Sequence, residues 1–395
     1  MKQTERELRL QRPEGSSSDV LQYLKTRQED MLATLRRLVE MESPSDHKPS
    51  VDRLGEALAG DFRRLGGQVK VHPARNFGDH LQIDFPGGDT RRKPVLLLGH
   101  LDTVYPMGSI YEMPFHLERG RAFGPGVLDM KSGIIHILYA IEALQKCRSV
   151  WPRPVTVFLV SDEEVSSESS RPVTEALARK SGAVLVMEPS AGLTGKLKTS
   201  RKGVGDYTLK VTGRAAHSGL DFEKGDSAIL ELAHQIQQVA KITNLKRGIT
   251  VNPGVIHGGT RSNVIAAQAM AVCDARIQKQ PDAQVVDRKF HSLKVRNRRC
   301  RLEVTGGFDR PPMERTAAVA ALFHMARTIA REMNWKLEET GVGGGSGGNF
   351  TSAMGIPTLD GLGGVGEGAH APHECILVNE LPRRTTLLAR LIESI

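Results

Sequence analysis

In this sequence of 395 residues, imidazoles and carboxylates stand at the ends of apolar runs. "PVLLLG" leads into His100 and Asp102, two residues apart, so on a strand both side chains leave on one face. Asp129 follows "GPGVL" where a helical pattern opens. "VFLVS" runs straight into Asp162, Glu163 and Glu164; "AVLVM" ends at Glu188; the late loop "GVGEGAHAPHE" carries His370. Adjacent carboxylates repel, and desolvating them is costly. Nothing cationic in the local sequence offsets them, whereas a divalent metal, or a pair, would. Histidine with aspartate or glutamate suits zinc, and the lack of cysteine in the set points to a catalytic rather than a structural site. Charge counting favours a pair. The four positive charges of two zinc ions meet three negative ones on Asp129, Glu164 and Glu188. A bridging hydroxide completes neutrality, and it is the nucleophile that such sites generate near neutral pH. One of the adjacent acids then binds metal while its neighbour handles protons. Taken singly, each residue has a plainer reading: a core or surface histidine, a helix cap, a strand end, a solvated turn. The combination carries the expectation.

The elements that must position these residues alternate. Helical spacing runs over Ser17 to Val39 and again near Val51 to Leu65, followed by the strands "QVKVHPA", "DHLQIDF" and "PVLLLGH". "DMKSGIIHILYAIEALQK" reads as a long helix, "PVTVFLVS" and "AVLVME" as buried strands with a helix between. The expected class is α/β, a mostly parallel sheet with helices on both faces, and in such sheets function gathers beyond the carboxyl ends of the strands. From about Arg201 the texture changes. Alternating strands such as "GDYTLKVTGR" and amphipathic helices such as "DSAILELAHQIQQVAKI" form an α+β insert. The expected division is a first segment over 1–201, an insert over 202–309 and a returning segment over 310–395.

Composition excludes several classes. No apolar run approaches the roughly 18 residues of a membrane helix. The stretch "MKQTERELRLQRPEG" is charged throughout and holds no apolar run of signal-peptide length. The four cysteines, Cys147, Cys273, Cys300 and Cys375, form no C-x-x-C pair, so neither a disulfide framework nor a zinc knuckle is indicated. A cytoplasmic location is expected. The net charge of +9 includes a dense run, "KVRNRRCR", from Lys294 to Arg301. Without interleaved aromatics or a nucleic-acid motif it reads as a solvated face; no nucleic-acid or membrane partner is expected.

At the site residues the chain resembles the dinuclear zinc aminoacylases and carboxypeptidases. "GHLDTV", "GPGVLDMKSG", "SDEE", "MEPS", "GRAAHSG" and "GEGAHAPHE" match that family in order, as do the position and size of the insert. Glu188 and its "EPS" context look most like the bacterial glutamate carboxypeptidase branch. The resemblance implies two zinc ions per subunit, with cobalt or manganese as substitutes. Asp129 would bridge them. His100 and Glu188 would complete one metal's ligands, Glu164 and His370 the other's. Asp102 would orient the His100 ring and Glu163 would act as general base. A cis Asp129–Met130 peptide is also implied. The insert would be a lid and a homodimerisation domain, with His217 as an oxyanion donor, in cis or from the partner subunit. Asn263, Arg310, Arg276 and Lys196 are the implied contacts of a small N-acyl amino acid or peptide substrate. Arg310 is the favoured clamp for its carboxylate, with salt bridging as the competing role of the cations. The expected reaction is hydrolysis of an amide beside a free carboxylate, as by a carboxypeptidase releasing a residue such as glutamate. N-acyl amino-acid deacylase or dipeptidase activity is the alternative, and a non-catalytic metal-binding scaffold a rival of another class. Where relatives carry an acid after the triple glycine, this chain has Gly347 and Gly348, which leaves the substrate open.

Overall fold

A computed structural model describes residues 17–147 and 153–395. The charged N-terminal stretch lies outside them. The described chain divides into two units, one comprising 17–199, 315–340 and 354–395, the other Ser200–Glu314 and Gly341–Ala353.

The first unit is built on a six-stranded sheet in the order Gln68–His72, His80–Phe85, Val155–Val160, Val95–His100, Ala183–Val186, Thr358–Leu359. Only His80–Phe85 runs against the rest. The strands Val95–His100, Val155–Val160 and Ala183–Val186 are buried at every position, which is why their sequences are continuously apolar rather than alternating. Each fully buried Leu, Val or Ile there is worth about 1.5–3 kcal/mol over exposure. The helices Lys48–Arg64, Ser132–Cys147 and Leu381–Ser394 supply apolar faces to the same core. Val95–His100 lies between the other two parallel strands, so His100 emerges flanked by the chain leading to Glu163 and Glu164 and by the chain leading to Glu188.

Two details of this unit differ from the sequence expectation. The helix expected over Ser17 to Val39 is two, Ser17–Thr26 and Gln28–Glu40, broken at Arg27, whose Nε holds Glu142 at 2.9 Å. A small antiparallel sheet also went unread. It takes Gly366–Glu367, Cys375–Leu377, Arg121–Phe123 and His116–Glu118 in that order. Its strands of two or three residues are too short for an alternation signal, yet they anchor both the loop bearing His370 and the approach to Asp129.

The second unit is a four-stranded antiparallel sheet, ordered Thr250–Gly258, Gln268–Ile277, Gly203–Thr212, Arg301–Arg310. The helices Ala228–Ala240 and Pro281–His291 pack on one face. There Tyr207 stacks on Phe290 with ring centroids 3.8 Å apart. Gly341–Ala353 belongs with this unit rather than with the returning segment. Asn349 Nδ2 donates to the carbonyls of Lys202 (3.1 Å) and Pro311 (2.7 Å), and Arg201 Nη1 to those of Gly344 and Gly345. Within the Lys294–Arg301 run, Arg299 pairs with Asp226 at 2.8 Å, and Glu231 accepts the backbone N–H of Arg296 and Asn297. Among the described residues no helix is long and apolar enough to cross a membrane.

Candidate metal centre

His100 ends its strand 2 % exposed. Its Nδ1 lies 2.9 Å from the backbone carbonyl of Asp102 and 3.5 Å from that residue's Oδ1. The Nδ1 proton is therefore directed at that carbonyl, and Nε2 faces Asp129 Oδ1 at 3.1 Å and Glu188 Oε1 at 3.6 Å. The main chain of Asp102 is thus the nearer partner of the ring. Its carboxylate has other work: Oδ2 accepts from Ser45 Oγ at 2.7 Å and from the N–H of Glu164 at 3.1 Å, and Oδ1 from the N–H of Glu163 at 3.2 Å. One buried aspartate thereby ties the His100 strand to the turn that carries both glutamates.

The three adjacent acids diverge. Asp162 serves the local fold, Oδ2 accepting from Ser169 N–H and Oγ and from Ser170 N–H. Glu164 faces His370, with Oε2 3.3 Å from Nε2. Glu163 offers a carboxylate oxygen within 4.8 Å of ligand atoms of His100 and Glu188. Asp129 sits in a non-helical turn just before the helix Ser132–Cys147, and the Asp129–Met130 peptide is cis. Its second oxygen lies 3.5 Å from His370 Nε2. His370 holds φ at +63°, a left-handed conformation uncommon outside glycine and enriched where function constrains the backbone. Glycines let these loops close on one another: a Cβ at Gly133 would overlap the carbonyl of Met187, as would one at Gly363.

Three of these separations, 3.3 to 3.6 Å, are longer than good N–H···O hydrogen bonds, and the fourth, between His100 and Asp129, is 3.1 Å. They match the edge of a ligand tetrahedron, about 3.3–3.4 Å for metal–ligand bonds of about 2.0–2.1 Å. Glu164 Oε1 is buried with no hydrogen-bond partner among the described residues. Electrostatics agree. Burial opposes charge on His100, but Asp102 and Asp129 outweigh it and raise its pKa well above the ordinary value. The neighbouring carboxylates of Asp129 and Glu164 raise His370 to about 10. Burial would raise Asp129, but the two imidazoles hold it far below the usual carboxylate range. Burial raises Glu164 despite His370. The pocket demands positive charge, and the donor set fits divalent metal.

A model of peptidase family M20/M25/M40 matches residues 96–394. The chain belongs to that family. Carboxypeptidase G2 of Pseudomonas sp. strain RS-16 is 27 % identical over 372 residues, covering 92 % of this chain and 88 % of that protein. The fold is shared with aminopeptidase PepT of Bacillus cereus, with a TM-score of 0.78 at 20 % identity over 93 % of this chain and 98 % of that one. It is also shared with the YXEP protein of Bacillus subtilis, a dinuclear metal-binding peptidase of family M20, with a TM-score of 0.68 at 13 % identity over 94 % and 98 %. This M20/M25/M40 chain is a metallohydrolase.

Of the remaining expected site residues, His217, Asn263, Arg276 and Arg310 belong to the second unit and Lys196 to the first. His217 and Asn263 are exposed in the second unit, where His217 and Val264 form a β-bridge. His217 Nδ1 accepts the N–H of Gly219 at 3.1 Å and of Leu220 at 3.2 Å. Arg276 is already paired with Asp274 on its own strand at 2.7 Å, and Lys196, in the first unit, with Glu338 at 3.1 Å. Arg310 is 7 % exposed, its guanidinium 5.1 Å from the Phe350 ring centroid and its side chain against Gly345. Gly347 and Gly348 open the short helix Gly347–Ala353. Sequence reasoning missed Ser45, Tyr105 and Glu374, although Glu374 ends the stretch "GEGAHAPHE" and Tyr105 directly follows "GHLDTV".

Proposed function

We propose that this chain is a two-zinc hydrolase that cleaves an amide or peptide bond beside a free carboxylate, releasing a C-terminal residue such as glutamate. The observation that carries the reading is Asp129, one carboxylate oxygen turned to each imidazole. In this reading His100, Glu188 and Asp129 hold one ion, and Glu164, His370 and Asp129 the other. Bound there, the metals polarise the scissile carbonyl and acidify water. Glu163 takes the proton from the attacking water at its carboxylate and returns it to the leaving amine. His217 accepts two backbone N–H groups at Nδ1, so its neutral ring carries the proton on Nε2. That tautomer is a hydrogen-bond donor, as an oxyanion requires. Arg310 holds the substrate carboxylate with help from Asn263. Arg276 and Lys196, each paired with a neighbouring acid, are the further contacts of this reading.

Homodimerisation through the second unit belongs to the same reading. Thr250–Gly258 is an edge strand with Ile256 58 % exposed, and Leu220 and Phe222 of that unit are exposed at 81 % and 66 %. The four cysteines are free thiols, which supports a reducing, cytoplasmic setting. A screen of N-acyl amino acids and of dipeptides ending in glutamate, with and without chelator and with light scattering for mass, tests all of this. Chelator-insensitive turnover, or no hydrolysis of any member by protein of verified metal content, would sink the proposal.

A further inference from the structure

We propose that Glu374, assisted by Tyr105, is a positioning residue that fixes the spacing of Asp129 and His370 and so the grip of the site on its metals; this rests on the function proposed above. Glu374 is fully buried. Its Oε1 accepts the backbone N–H of Leu128 at 2.7 Å and of Asp129 at 2.8 Å. Its Oε2 accepts the N–H of Gly126 at 3.1 Å and the Tyr105 hydroxyl at 2.5 Å. A carboxylate offers about four acceptor sites, and four donors are present, so Glu374 has no capacity left to bind metal itself.

The four donors belong to two other loops of the site. Leu128 and Asp129 form the turn that ends in the shared carboxylate. Tyr105 follows the His100–Asp102 segment, and its hydroxyl is also 3.1 Å from the carbonyl of Ala371, the residue after His370. Glu374 itself lies four residues beyond His370 in a loop closed by Ala371 N–H to Gly368 and Glu374 N–H to Ala371. A closed circuit results. Glu374 grips the Asp129 backbone, and the same loop returns His370 to face the Asp129 side chain. The distance between the two metal-facing groups is therefore set by a residue that touches neither metal nor substrate.

Glu374→Gln keeps the shape but replaces one acceptor oxygen by an amide that opposes two of the donors. Tyr105→Phe removes a single donor and keeps the ring. The metal-loaded proteins are titrated with dipicolinate, release is followed by metal analysis, and the absorption spectrum of the cobalt-substituted forms is recorded. Metal affinity is expected to fall about 10–100-fold in Glu374→Gln, the usual scale for groups that orient ligands, with a displaced cobalt spectrum, and several-fold in Tyr105→Phe. A lowered melting temperature with wild-type affinity and spectrum would reduce Glu374 to a structural role and overturn the proposal. If Glu374→Gln does not fold, unchanged affinity and spectrum in Tyr105→Phe overturn it equally. Wild-type protein that takes up no metal defeats the function proposed above, whereas two ions held equally tightly by wild type and variants defeat only the positioning role.

Discussion

Nε2 of His370 stands 3.5 Å from Oδ2 of Asp129, beyond a good hydrogen bond and at the spacing of two ligands on one ion. The other oxygen of Asp129 lies 3.1 Å from Nε2 of His100. In the proposed two-ion site Asp129→Ala would remove a ligand from both positions at once. Metal content is expected to fall from about two ions per chain, the number a bridged pair requires, to below one. Elemental analysis of purified protein is the check, and retention of two ions would contradict the bridge.

Glu163 shares its turn with Glu164, whose carboxylate faces His370. Glu163→Ala should keep the metal and lose turnover by about 100-fold or more, the scale of a general acid–base group. Near-normal kcat with full metal loading would remove Glu163 from the chemistry.

His217→Ala should lower kcat by about 100-fold, as loss of one oxyanion donor does, and leave metal content unchanged. Heterodimers of His217→Ala with Glu163→Ala chains tell where the imidazole acts. Recovered activity in the mixed species means that it serves the partner subunit; none means that it serves its own.

A pH effect on stability is expected away from the metal. His136 is fully buried in the helix Ser132–Cys147. Its Nδ1 meets Thr385 Oγ1 at 2.8 Å, the hydroxyl of which donates onward to Leu381, and its Nε2 has no hydrogen-bond partner in the structure. Burial, reinforced by Arg384, pushes its pKa down to about 3. The folded state thus refuses a proton that the unfolded chain takes up below about pH 6.5. Stability from this residue is complete above that pH and is lost as the pH falls towards 3. The loss reaches about 2 kcal/mol by pH 5. Denaturant melts at pH 7 and pH 5 check this against His136→Leu, in which the acid-dependent increment should vanish.

The parallel sheet and the ends of its strands were legible because fully buried strands write continuous apolar runs, and acids abutting "VFLVS" have no structural excuse. Asp162 shows the limit of that reading. It is as acidic as its neighbours, but its carboxylate caps the turn at Ser169 and Ser170, and only coordinates separate a turn-former from a ligand. Glu374 was invisible for a related reason: its partners are backbone N–H groups, which carry no sequence signature. The small sheet around Cys375–Leu377 lacked the length to show a period. The assignment of Gly341–Ala353 to the second unit depends on Asn349 reaching Lys202 and Pro311, contacts remote in sequence.

The pairing of Arg121–Phe123 with Cys375–Leu377 bears on synthesis. While it is still being made, the chain exposes Asp129, Glu163, Glu164 and Glu188 long before His370 leaves the ribosome. Until the late strand docks, this acidic mouth has His100 as its single imidazole. The proposed ligand set is therefore complete only once this long-range pairing has closed, after the final segment has been made.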